Sequence, residues 1–389
     1  MIKTPVYLDY NATTPVDKRV VEAMLPYFTE KFGNASSRTH SFGWMADEAV
    51  KFARKQVAEL IQSEEQEIVF TSGATESVNL AIKGVYENYH QKGNHIIAVA
   101  TEHKAVIDTL KILEKKGAVV TYLPVDREGL IDLEKLQEII TQRTILVCVM
   151  YANNETGVIQ PIRQIADIVH RSGSIFMSDA TQAVGKIPVA VKSDDIDLLC
   201  ASAHKMYGPK GTGILYVRRK NPRVSLFAQI DGGGHERGLR SGTLNVPGIV
   251  GFGKTCEIAQ HEMWDNAANI SRLRTVLEQS LLDLGNIFVN GSIRNRLPNV
   301  TNLSFPGIKS ERMISGLKDI AVAAGSACTS AVMEPSHVLK AMGLSDEIAY
   351  SSIRFSIGKY TTNEEIEYVT EKISSFVKQI RSSQTTHSE

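Results

Sequence analysis

Thr144-Ile-Leu-Val-Cys-Val-Met150, Pro161-Ile-Arg-Gln-Ile-Ala-Asp-Ile-Val169 and Ser174-Ile-Phe-Met-Ser-Asp179 decide the fold of this 389-residue chain. Two short apolar runs flank a segment of helical pattern, which reads as strand, helix, parallel strand. Upstream the unit repeats. Glu67-Ile-Val-Phe70 leads into a helical pattern at Ser77–Lys83, His95-Ile-Ile-Ala-Val-Ala100 into one at Lys104–Leu113, and Ala118-Val-Val-Thr-Tyr-Leu123 into one at Leu133–Ile140. The rhythm, held from about residue 45 to 220, predicts an α/β protein with a mainly parallel sheet covered by helices on both faces. Such sheets bind ligands beyond the carboxyl ends of their strands, so chemistry is sought just after each run.

Beyond about residue 255 the rhythm changes. A long amphipathic helix is expected over Glu257–Leu282, strands over Asn299–Phe305 and Ser351–Ser356, and a last helix over Glu364–Ile380. These elements predict a smaller α+β domain. The expected division is a large domain over residues 16–258, a small one from 1–15 and 259–380, and a polar, disordered tail at 381–389. Lys+Arg and Asp+Glu both number 43, which argues against an obligatory nucleic-acid or anionic-membrane partner. No apolar h-region opens the chain and no run approaches a membrane span. Cys148, Cys200, Cys256 and Cys328 form no CxxC pair, so neither a zinc site nor a disulfide framework is expected, and a cytoplasmic protein fits.

Four strand-end segments converge on one cofactor, pyridoxal phosphate (PLP). Asp179 ends an apolar run, where a carboxylate can keep a pyridine nitrogen protonated and the ring an electron sink. Taken alone, Asp179 reads better as a helix cap. Lys205 follows the run Asp197-Leu-Leu-Cys200, where a Schiff-base lysine would lie; burial would lower its pKa and make it a nucleophile and base. In Phe70-Thr-Ser-Gly-Ala-Thr-Glu76 the amides of Ala74 and Thr75 can cradle a phosphate at a helix N-terminus, with Ser202, His204 and Thr243 as further ligands. His103 can stack on the ring and shuttle protons, and Asn154 and Gln182 can bond the phenolic oxygen. The small-residue run Ala323-Ala-Gly-Ser-Ala-Cys-Thr-Ser-Ala331 reads either as a buried turn or as a mobile loop presenting Cys328, whose thiol needs a proton acceptor such as His103.

These residues closely resemble the cysteine desulfurases of the IscS/NifS type, class V members of the PLP-dependent aminotransferase superfamily. The resemblance runs from Tyr7-Leu-Asp-Tyr-Asn-Ala-Thr-Thr-Pro15 to about Ile366, through Thr71–Glu76, Thr101-Glu-His-Lys104, Asn153-Asn-Glu-Thr-Gly157, Asp179-Ala-Thr-Gln182, His204–Gly211, Gly232–Arg237, Arg240-Ser-Gly-Thr243, Gly325-Ser-Ala-Cys328 and Ile353-Arg-Phe355. It implies the aspartate-aminotransferase-like fold (fold type I), a homodimer, and release of L-alanine from L-cysteine with a persulfide on Cys328. Lys205 would carry the cofactor, Asp179 pair with its pyridine nitrogen and His103 stack on it. Ala74, Thr75, Ser202 and His204 would hold the phosphate with Thr243 of a second subunit. Asn154 and Gln182 would orient the cofactor, and Arg354 with Asn34 would grip the substrate carboxylate. No resident metal is implied; Cys328 would serve at most as a transient iron–sulfur ligand. The sulfur would go to acceptor proteins such as an iron–sulfur scaffold, or to other thio-cofactors and tRNA thiolation.

Two departures stand out. Gly33-Asn34-Ala35 replaces the family's Gly-Asn-Pro, and the tail lacks the Pro-Leu-Trp-Glu-Met ending used towards a scaffold, so that docking would use other surfaces. Three rivals are weighed. Gly248-Ile-Val-Gly-Phe-Gly-Lys-Thr255 matches the nucleotide-binding pattern GxxxxGK[ST], but no buried strand precedes it and Pro247 suits the first turn of a helix. An aminotransferase or selenocysteine lyase keeps PLP and changes the product. An idle assembly platform is opposed by the intact Asp179, Lys205 and Cys328.

Overall fold

The computed structural model describes residues 2–324 and 334–385. The apolar runs become strands β1 Ile68–Thr71, β2 His95–Val99, β3 Val119–Leu123, β4 Thr144–Cys148, β5 Ile175–Asp179 and β6 Leu198–Ser202. A seventh, β7 Gly213–Val217, was not assigned from the sequence. Their order across the sheet is β1-β7-β6-β5-β4-β2-β3. Strands β2 to β6 pair in parallel, whereas β7 runs antiparallel to both β6 and β1. The inner strands are buried throughout, and only the edge strand β3 is partly open to solvent.

Strand alternation divides the apolar residues between two cores, one on each face. Val147, Phe176 and Leu199 enter one core, while Leu146, Cys148, Met177, Leu198 and Cys200 enter the other. Helices Ala74–Tyr89 and Lys104–Glu114 cover the second face, and Ser41–Ile61 and Ile162–Arg171 the first. A third core gathers Val6 and Leu8 from the start of the chain with Leu277, Phe305, Phe355 and Val369 from its last third. It packs on a four-stranded antiparallel sheet in the order Ala323–Ala324, Ser352–Ser356, Val300–Ser304, Phe288–Val289.

Helix Val246–Leu282 joins the cores. Ile249 and Phe252 enter the first, Ile270 and Leu273 the third. It begins eleven residues before the expected Glu257, with Pro247 in its first turn. The GxxxxGK[ST] stretch therefore lies inside a helix. A Cβ on Gly251 would meet Met24 Sδ at 2.5 Å and one on Gly253 would meet Ala53 Cα at 2.6 Å, so these glycines permit close helix packing. The last helix, Asn363–Thr385, corrects the expectation of a disordered tail from residue 381. Arg381 donates to the Leu284 and Asn286 carbonyls at 3.0 and 2.9 Å, which holds that turn. Residues 386–389 lie outside the described residues. No described helix is long and apolar enough to cross a membrane.

Candidate active site

The carboxyl ends of β1, β2, β4, β5 and β6 open into one cleft of about 620 Å³, closed on the far side by Arg354 and by Asn11–Thr13. Ten of the residues singled out from the sequence line it: Ala74, Thr75, His103, Asn154, Asp179, Gln182, Ser202, His204, Lys205 and Arg354.

Asp179 is the last residue of β5, bonded to β4 and β6, and this fixes where its side chain emerges. Its Oδ1 accepts the Thr181 N–H at 3.0 Å. Lys205 lies on the single turn Ala203–Lys205 that follows β6. Its Nζ donates to the Asn11 and Ala12 carbonyls, each at 2.7 Å. Burial, then the neighbouring Arg354 cation, push its pKa down to about 8, against the opposite pull of Asp179 and Asp9. About a tenth of this amine is therefore uncharged at pH 7, far more than for a free lysine.

Opposite lies the N-terminus of helix Ala74–Tyr89. Gly73 caps it with no side chain, so no side chain stands between the first-turn amides and the cleft. Gly213 lets this turn sit close to the sheet: a Cβ there would fall 2.6 Å from Gly73 Cα. His204 Nδ1 is 3.1 Å from Thr13 Oγ1. Burial and the cations Lys205, Lys210 and Lys186 push its pKa down to about 4, leaving a neutral imidazole. His103 caps helix Lys104–Glu114 through Nδ1, which accepts the Ala105 N–H at 3.1 Å and so leaves the proton on Nε2.

Arg354 stands on the strand Ser352–Ser356. Its guanidinium bonds Asp9 Oδ1 at 2.6 Å and the Asn154 carbonyl at 3.0 Å, while Nε is buried with no partner among the described residues. Gln182 Nε2 donates to the Asn11 carbonyl at 2.9 Å.

Asn34 and Thr243 are not brought to the cleft within one chain. Asn34 is exposed and its Oδ1 accepts the Ser36 N–H. Thr243 is exposed next to Gly242, and His235 joins the two regions by bonding Ser36 Oγ and the Gly242 N–H. Cys328 lies outside the described residues. The chain before it, Ala323–Ala324, pairs with Arg354 and Ile353. After it, Ser336 Oγ donates to Glu155 Oε2 at 2.5 Å, and His337 Nε2 bonds the Glu102 carbonyl at 3.0 Å. Both flanks are thus tied to segments that carry cleft residues.

Sequence reasoning missed Asn11, Lys186 and Glu155. Asn11 stood in the quoted motif Tyr7–Pro15 and Glu155 in Asn153–Gly157, the signals that were available. The carbonyl of Asn11 holds Lys205 and Gln182, and its amide bonds Asn154, Asn299 and Lys186. Among the described residues no cluster suits a metal ion. The donor set instead fits a phosphorylated aromatic aldehyde: a helix N-terminus with Ser202 and neutral His204 for the phosphate, Asp179 for a ring N–H, and Lys205 for the aldehyde.

Comparison with known proteins agrees. Residues 6–369 match the family described as aminotransferase class-V. The cysteine desulfurase IscS of Anaeromyxobacter sp. is 53% identical over 383 residues, 98% of this chain and 94% of the relative. A solved NifS-like protein superposes with a TM-score of 0.89 at 41% identity, covering 96% of this chain and 99% of the other. A structure of SspA in complex with cysteine gives 0.81 at 36% identity, covering 92% and 99%.

Proposed function

The chain belongs to the class-V aminotransferase family, whose NifS-like members are PLP-dependent, and on that premise we propose that it is a cysteine desulfurase. It takes sulfur from L-cysteine, leaves L-alanine, and supplies the sulfur for iron–sulfur cluster assembly. The observation that carries the reading is Lys205: a buried primary amine of lowered pKa at a strand end, within electrostatic reach of Asp179.

Ala74, Thr75, Ser202 and His204 would hold the cofactor's phosphate, Asp179 its pyridine nitrogen and Lys205 its aldehyde carbon, while Asn154, Gln182 and His103 would orient the ring. When bound, the cofactor supplies an electron sink for the pair left at the substrate Cα. The chain does the rest. The Arg354 fork takes the substrate carboxylate in exchange for Asp9. Lys205, displaced by the substrate amine, removes the Cα proton. The Cys328 thiolate attacks the substrate sulfur, so that an S–S bond forms and the C–S bond breaks; Cβ gains a proton and Lys205 returns to Cα the one it took, which yields alanine. The His103 Nε2–H supplies the Cβ proton and recovers it when the Cys328 thiol ionises.

Residues 16–258 act as the cofactor domain, with 1–15 and 259–380 as the domain that delivers Arg354 and Cys328. A second copy covers the exposed apolar face that includes Leu25, Phe28 and Phe32, and brings Thr243 to the phosphate and Asn34 to the substrate. Buried free thiols at Cys148, Cys200 and Cys256 suit a reducing cytoplasm. The persulfide passes to an acceptor protein.

The test is product analysis. Purified chain loaded with PLP and given L-cysteine and dithiothreitol is expected to release alanine and sulfide in equal amounts, and Cys328→Ser to release neither at the normal rate. Pyruvate or glutamate as product would assign transamination instead, and undiminished persulfide formation by Cys328→Ser would remove Cys328 from the scheme.

A further inference from the structure

Lys186 lies behind the cleft, bonded to Gln182, which lines it, and the steps above leave Lys186 without a task. It lies four residues after Gln182 in the turns that follow β5, where Val184 and Ile187 N–H donate to the Ala180 and Ala183 carbonyls and Gly185 turns the chain with a φ of 77°. The turn brings the two side chains into contact. Lys186 Nζ donates to Gln182 Oε1 at 2.6 Å and to Asn11 Oδ1 at 3.1 Å. Neither partner is a carboxylate. Burial, then Lys205 and Arg354, push its pKa well below the ordinary lysine value. A buried amine kept at that cost calls for a purpose beyond filling space.

A side-chain amide has an accepting end and a donating end of nearly the same shape, and only its partners decide which way it faces. Here Lys186 is the donor, with two amide oxygens around its Nζ. Oε1 of Gln182 faces Lys186, and Nε2 is turned away, to the Asn11 carbonyl and the cleft that Gln182 lines. The same logic holds for Asn11. Its Oδ1 takes N–H groups from Lys186 and Asn299, and Nδ2 is left to reach the Asn154 carbonyl at 3.1 Å.

We propose that Lys186 is a positioning residue that locks the Gln182 amide with its N–H group towards the cleft, so that an anionic oxygen on a bound cofactor ring meets a donor and never a carbonyl. The proposal rests on the PLP reading and deepens it. A donor on the ring's phenolate oxygen competes with the proton on the nitrogen that joins Lys205 to the cofactor. Losing the donor strengthens that nitrogen's hold on its proton. The midpoint of the pH-dependent change in the cofactor's visible band should then move up.

The experiment titrates that band in full-length, PLP-loaded protein: wild type, Lys186→Met, Gln182→Leu, the double variant and Lys186→Arg. Lys186→Met is expected to raise the midpoint by about one pH unit, a tenfold change in proton affinity, and Gln182→Leu by the same amount. The double variant should shift no further than either, and Lys186→Arg should return most of the shift. Arg354, Asp179 and Asp9 lie near the same point and are left unchanged in every variant. Simple loss of a nearby cation would therefore add to the Gln182→Leu shift, and additivity would overturn the proposal. So would a wild-type midpoint in Lys186→Met. If Lys186→Met does not fold, Gln182→Glu serves, since it keeps Lys186 partnered and removes the donor; an unmoved midpoint there is equally fatal. Wild-type protein that takes up no PLP would defeat the functional reading itself, whereas normal loading with an unmoved midpoint defeats this inference alone.

Discussion

The two walls of the cleft are built on opposite terms. On the large-sheet side, Asp179 and Ser202 end strands that are hydrogen-bonded on both flanks, and Lys205 is held by two backbone carbonyls. Among the described residues neither Asp179 nor Lys205 has an ion-pair partner within 4 Å that a ligand must displace. On the small-sheet side, Arg354 is already engaged by Asp9 at 2.6 Å and by the Asn154 carbonyl. An incoming carboxylate must exchange with Asp9, and an exchange of like for like yields modest net affinity. A permanent cofactor suits the first wall and a passing substrate the second.

The largest expected effect comes from emptying the first wall. Lys205→Ala should abolish the borohydride-sensitive yellow band and lower cysteine turnover by about a thousandfold or more. Retention of both in that variant would mean that another amine carries the cofactor. The second wall should respond in KM. Arg354→Lys loses the planar fork and is expected to raise KM for L-cysteine about ten- to hundredfold with the cofactor spectrum unchanged. Asp9→Asn removes the competitor and should lower KM several-fold. A raised KM in Asp9→Asn would show that Asp9 holds Arg354 in place rather than competing for it.

The pKa of Lys205 sharpens the contrast. Only the uncharged amine attacks an aldehyde, so the rate at which cofactor-free protein takes up PLP should rise about tenfold per pH unit below its pKa of about 8, then level off. Arg354 is the largest cationic contributor to that lowering, and Arg354→Ala should move the midpoint up. A midpoint unmoved by Arg354→Ala would show that the walls do not communicate electrostatically.

The smallest effect concerns Glu155, which holds Ser336 beside the second wall. Burial pushes its pKa up to about 7 despite the Ser336 hydrogen bond and the cations Arg354 and Lys104. Between the unfolded value near 4.3 and that pKa the folded chain binds the extra proton, so stability falls as pH rises through this window. Glu155→Gln keeps an acceptor for Ser336 and removes the titration. It should raise unfolding stability by about 1–3 kcal/mol at pH 8 and leave it nearly unchanged at pH 4. Equal Tm values for both proteins at pH 8 would refute the assignment.

Much of the framework was written locally. Six sheet strands were legible because inner parallel strands are buried on both faces and must read as unbroken apolar runs. Asp179 and Lys205 were legible because chemistry on such sheets gathers at strand ends. The seventh strand, Gly213–Val217, was missed because its short apolar run comes directly after Gly208, Gly211 and Gly213 and no helical pattern follows it, so it falls outside the strand–helix rhythm. The first turn of helix Val246–Leu282 was legible in Pro247, but the bound at Glu257 fell short because Gly248, Gly251 and Gly253, poor helix formers, interrupt the pattern; Gly251 and Gly253 stand where other helices approach.

By itself, then, the order of residues determined the sheet, its apolar faces and the strand-end groups, since each depends on periods of two or four residues. Only the tertiary structure decided that Asn11 joins Lys205, Gln182, Lys186 and Asn299, because these contacts span 171 to 288 residues of chain and leave no local pattern. It alone also decided which end of the Gln182 amide meets the cleft. An amide's orientation belongs to its partners in space, and those partners come together only when the cores have packed.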